Sequence, residues 1–129
     1  DRGKSSFCRY LLARLGSGFD IVSAGELFRV RQVGGDMAKT VFAGVGKTAD
    51  EIRQALEADL LMFNAESRSE LDTIERAAAD LDTTARIALR LNPDVDPKTH
   101  HYITTGKREN KFGIDLEAAR EIVARDSGE

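Results

Sequence analysis

The chain has 129 residues, 41% of them hydrophobic and 32% charged, with a formal net charge of −3, a make-up suited to one globular unit with a single core and too short for two. The one cysteine, Cys8, excludes an internal disulfide, and the longest apolar run, Leu60-Leu61-Met62-Phe63, falls far short of the ~20 residues of a membrane-spanning helix. With a pI near 5.5 and interspersed charges, neither nucleic acid nor membrane is an expected partner, and a cytoplasmic location is expected.

In chain order, residues 6–15 place Phe7, Leu11, Leu12 and Leu15 at helical spacing, and Gly16 and Gly18 end that helix. Residues 19–23 are rich in strand formers, and residues 24–33 return to a helical pattern on Leu27, Val30 and Val33, broken by Gly34 and Gly35. A second strand is predicted over residues 40–43. Thr48 with Glu51, and later Ser67 with Glu70, have the spacing of a capping box ahead of two further helices. A third strand is predicted over residues 60–64. The fourth is the clearest, since Ala85, Ile87, Leu89 and Leu91 share one parity and Arg86, Ala88, Arg90 and Asn92 the other. Residues 93–113 form a long polar loop with both histidines, and Leu116, Ala119, Ile122 and Val123 mark a last helix. Strands alternating with helices at 20–25-residue intervals predict an α/β fold with parallel strands, about four of them with flanking helices, which is half of a (β/α)₈ barrel.

Several residues carry chemistry on this frame. Gly44-Val45-Gly46-Lys47-Thr48 lies between a strand and a helix, where a glycine turn can present N–H groups to phosphate, but Val41 stands where a P-loop needs its first glycine. Gly44, Gly46 and Ala49 also fit a relaxed dinucleotide fingerprint, with Glu66 as the acidic residue twenty positions on, so a small nucleotide- or phosphate-binding module is the alternative function. Arg90 lies opposite in parity to the helix-facing residues of its strand, near the end where barrel active sites form. Asp20 has the comparable place in the first strand. The two are either pocket residues or a buried structural pair. Adjacent His100 and His101 point apart and have no Cys/His cluster to join, so no metal site is expected, and a loop histidine that binds a ligand is the better reading.

Five ordered blocks, residues 16–27 (GSGFDIVSAGEL), 41–48 (VFAGVGKT), 63–67 (FNAES), 89–96 (LRLNPDVD) and 99–113 (THHYITTGKRENKFG), together resemble the diaminopimelate decarboxylases, a branch of the pyridoxal-phosphate-dependent ornithine, diaminopimelate and arginine decarboxylases with an alanine-racemase-like barrel. The resemblance implies loss of CO₂ from the D-configured centre of meso-2,6-diaminopimelate to give L-lysine, with pyridoxal 5′-phosphate as cofactor and a homodimeric full-length enzyme. It implies that Asp20, Arg90 and His100 bind the cofactor and that Lys111 lies in the family's Lys-Phe-Gly block. His101 replaces the proline usual in that loop. The Schiff-base lysine would fall near Asp1, where Asp1-Arg2-Gly3-Lys4 does not match the family motif and Lys4 is near only in position, so no catalytic residue is assigned. Residues 1–129 are thus expected to be one unit within the N-terminal barrel domain, without the C-terminal β-domain and inactive alone.

Overall fold

A computed structural model of the chain describes residues 2–92 and 113–126. Helix α1 (Arg2–Arg14) leads into strand β1 (Phe19–Ile21). There follow α2 (Ala24–Gln32), β2 (Thr40–Phe42), α3 (Ala49–Glu57), β3 (Met62–Ala65), α4 (Arg68–Asp80), β4 (Ile87–Leu89) and α5 (Leu116–Asp126). The four strands lie in chain order in one parallel sheet. Beyond β4, Leu91 makes a single parallel bridge to Ile114. Consecutive parallel neighbours, each joined through a helix, form half of a (β/α)₈ barrel, as the strand spacing predicts.

The register fixes which side chains face where. Ile21, Phe42 and Phe63 stand side by side across the sheet, in the pairs Ile21–Phe42 and Phe42–Phe63. They pack with Leu27 and Val30 of α2, Ile52 and Ala55 of α3, and Ile74 and Ala77 of α4. The rings of Phe42 and Phe63 stack at 6.1 Å. With Phe42, Ile52 and Ile74 wholly removed from water, each contributes roughly 1.5–3 kcal/mol of burial. The alternate positions, Asp20, Val41, Met62, Asn64, Ala88 and Arg90, therefore share the opposite face. That face is the inner wall of the half-barrel.

Helix starts follow their caps. Thr48 and Glu51 form the reciprocal box at α3: the Thr48 hydroxyl accepts from the Glu51 N–H, and the Glu51 carboxylate accepts from the Thr48 N–H. At α4 only half of the expected box forms. Ser67 accepts from the Glu70 N–H at 3.2 Å, but the Glu70 carboxylate reaches one residue further back, to the Glu66 N–H at 3.0 Å. Helix α2 repeats this displaced form, with Ser23 as cap and Glu26 accepting from the Val22 N–H at 2.9 Å. That bond ends β1 at Ile21, short of residue 23. Likewise β3 starts at Met62 because the Leu60 N–H still closes α3 on the Ala55 carbonyl at 3.4 Å. Helix α1 begins earlier than its apolar pattern, at Arg2, and Phe7, Tyr10, Leu11 and Leu12 on it and Leu15 just past its end are exposed. A 3₁₀ turn, Met37–Lys39, capped by Asp36, supplies the entry to β2 that the breaker Gly34-Gly35 only hinted at.

Candidate active site

Two charged residues sit just past the C-terminal ends of neighbouring strands and on the inner face. Glu66 follows β3, and Arg90 follows β4, tied into the ladder by its N–H to the Ala65 carbonyl at 2.9 Å. The Arg90 Nη1 donates to Glu66 Oε1 at 3.0 Å; the Glu66 side chain is 3% exposed and that of Arg90 53%. Glu66 Oε2 is buried and has no hydrogen-bond partner among the described residues. A carboxylate so placed is costly unless its charge is answered nearby, and the guanidinium of Arg90 answers it from the open side.

Behind this pair lies a second one. The Lys47 ammonium, 1% exposed, pairs with Glu70 Oε1 and also donates to the carbonyls of Gly44 at 2.8 Å and Asn64 at 2.9 Å. It stands 5.6 Å from the centre of the Phe42 ring. All three of its donors are engaged. The other oxygen of Glu70 takes the Glu66 N–H, so the row runs from the Lys47 cation through the two carboxylates of Glu70 and Glu66, joined by that backbone N–H, to the Arg90 cation. Gly44 and Gly46, at φ +87° and +75°, allow the turn that folds Lys47 back onto the core. This turn therefore does not offer its lysine to a phosphate, and the Thr48 N–H at the start of α3 is taken by Glu51. Glu66 faces Arg90 and not a ribose.

Asp20 is exposed on the inner face of β1, with two strands between it and β4 in the sheet. It is not in a buried pair with Arg90, whose described carboxylate partner is Glu66. Asp20 and Arg90 share one face, and the sheet holds them on its opposite edges. Lys4 falls in the first turn of α1, while His100, His101 and Lys111 lie outside the described residues. The sequence reading missed three participants. In the sequence Lys47 is part of a glycine-rich turn, Glu70 has the place of a capping residue and Glu66 that of the acidic residue in a dinucleotide fingerprint. The available signal was parity, since Glu66 follows Asn64 on the Arg90 side of the sheet. A cavity of about 400 Å³ lies elsewhere, between α4 and α5 on the helix layer, where Leu71, Ala78, Ile87 and Ile122 line it.

Residues 8–127 match the pyridoxal binding domain of the pyridoxal-dependent decarboxylases. The chain belongs to that family. Among its relatives, the diaminopimelate decarboxylase of Pseudomonas aeruginosa is 57% identical over 115 residues, 89% of this chain and 28% of that protein. The diaminopimelate decarboxylase of Neisseria meningitidis serogroup A is 61% identical over 102 residues, 79% of this chain and 25% of that protein. The crystal structure of the Helicobacter pylori diaminopimelate decarboxylase complexed with L-lysine superposes with a TM-score of 0.78 at 48% identity, covering 93% of this chain and 31% of that one. The chain thus spans little more than a quarter of the length of these decarboxylases, and its four strands correspond to part of their barrel. The family resemblance drawn from the five sequence blocks is the same assignment.

Proposed function

We propose that this segment forms one wall of the active site of a diaminopimelate decarboxylase, which removes CO₂ from meso-2,6-diaminopimelate to leave L-lysine. The identity of 57% to the P. aeruginosa diaminopimelate decarboxylase carries this reading. The Glu66–Arg90 pair at the ends of β3 and β4 supports it, being a cationic group aimed into the end of a parallel barrel where catalysis takes place. Pyridoxal 5′-phosphate, when bound, supplies an electron sink for the pair left as the carboxylate departs. A proton takes the place of CO₂ on the same carbon, so atoms and charge balance.

The segment's own residues do the binding and orienting. Arg90 presents a guanidinium, half exposed, to an anionic group of the cofactor or substrate. Asp20 offers a carboxylate on the same wall to a cationic one, and His100 is the cofactor-binding histidine of the loop. Lys47 is unsuited to the Schiff-base role, because its ammonium is buried and bonded to three acceptors. Residues 1–129 form one unit of the barrel domain, and the whole enzyme is a cytoplasmic homodimer acting on a small amino acid, with no nucleic-acid or membrane partner. The test replaces the matching 115 residues of the P. aeruginosa enzyme with those of this chain and follows lysine formation from meso-diaminopimelate. Turnover within about tenfold of the parent, a barrier change of ~1.4 kcal/mol, is expected. A folded chimera that releases no lysine overturns the assignment.

A further inference from the structure

Glu66 is buried at the end of β3 with one oxygen on Arg90 and the other without a hydrogen-bond partner among the described residues. For packing alone, an apolar residue of the same volume would serve better, because a buried carboxylate with an unanswered oxygen carries a desolvation penalty. Its backbone is held as firmly as its side chain: the Glu66 N–H is bonded to Glu70, and Glu70 is pinned by the buried Lys47. At the far end of this chain of charges the Arg90 side chain, paired with Glu66, is 53% exposed on the inner wall. We propose that Glu66 is a positioning residue that sets the direction of the Arg90 guanidinium toward an anionic ligand, with the Lys47–Glu70 pair as its brace. This inference rests on the decarboxylase reading above. It makes Glu66 act through Arg90.

A double-substitution comparison in the complete chimeric decarboxylase tests it, using Glu66→Gln, Arg90→Met and both together. The readouts are the affinity of the cofactor-free protein for pyridoxal phosphate, followed by absorbance, and kcat/KM for diaminopimelate. Glu66→Gln is expected to weaken cofactor affinity or kcat/KM about tenfold when Arg90 is present and by less than about twofold when Arg90 is methionine. An equal loss in both backgrounds means that Glu66 acts on stability or on another group, and overturns the inference while leaving the decarboxylase assignment standing. No loss on Arg90→Met overturns both this inference and the placement of Arg90 in the site. Should Glu66→Gln fail to fold, Glu66→Asp, which keeps the charge and withdraws it by one methylene, carries the same comparison with the same criteria.

Discussion

Lys47 lies at the meeting point of the glycine turn and the core, where its burial is tolerated because every donor has an acceptor. Removing one partner of such a pair strands the other charge in a poorly solvated place. Lys47→Met is therefore expected to destabilise the protein by about 3–5 kcal/mol, read as the shift in denaturant midpoint at unchanged slope. Lys47→Met combined with Glu70→Gln, which keeps a side-chain oxygen for the buried Glu66 N–H, should recover much of that loss, since no lone charge is left behind. If the double variant is no more stable than the single one, the pair is not the source of the penalty. The turn that carries Lys47 looks like a phosphate site in the sequence because a glycine-rich turn before a helix is the same local pattern in both cases. What decides between them is Glu70, twenty-three residues on, and nothing in the local sequence announces a contact across a whole crossover.

Among the elements, α2 and α3 are joined at their N-termini by one carboxylate. Glu51 accepts from the Thr48 N–H at 3.0 Å with one oxygen, and its other oxygen accepts from the Ala24 N–H at 3.0 Å. The Thr48 N–H first, and then the Ala24 N–H, hold its pKa below the ordinary carboxylate range. The sign follows from the depressed folded-state value: the bonds stabilise the fold fully above the unfolded pKa and are lost as the pH falls through the folded one. Glu51→Gln should therefore cost about 1 kcal/mol at neutral pH and flatten the stability profile below about pH 4. Both effects are readable in urea titrations at several pH values, and an unchanged acid limb would show that Glu51 is not the linked group. The Thr48–Glu51 box and the Ser67 cap were legible because S/T-x-x-E is a local code, whereas the Glu70 carboxylate goes to the Glu66 N–H and leaves the second box half formed. The helix ends at Asp59 and Asp82, with φ +52° and +49°, were not, since glycine is the usual occupant of that conformation and aspartate marks turns of many kinds.

For the whole molecule, the alternation of strands and helices was readable because each βα step is closed within about 25 residues, and the parity of each strand then assigned its inner and outer faces. The arrangement of the site was less so. Its charges come from three loops at the strand ends, and which of them meet depends on how neighbouring strands are staggered. That same geometry exposes what a closed barrel would cover. Among the described residues β1 has no strand on its outer side, β4 is followed only by the Leu91–Ile114 bridge, and Phe7, Leu15 and Phe28 are each more than 60% exposed. Unpaired parallel edges beside apolar surface favour pairing with other chains. The 129-residue chain expressed alone is accordingly expected to elute above its 14.2 kDa monomer mass in size exclusion with light scattering and to bind a hydrophobic dye, whereas the same segment set within a complete decarboxylase should do neither beyond the parent enzyme's own behaviour. A monomer that binds no dye and melts in one sharp transition would mean that the open edges and the inner wall are protected without the remaining strands.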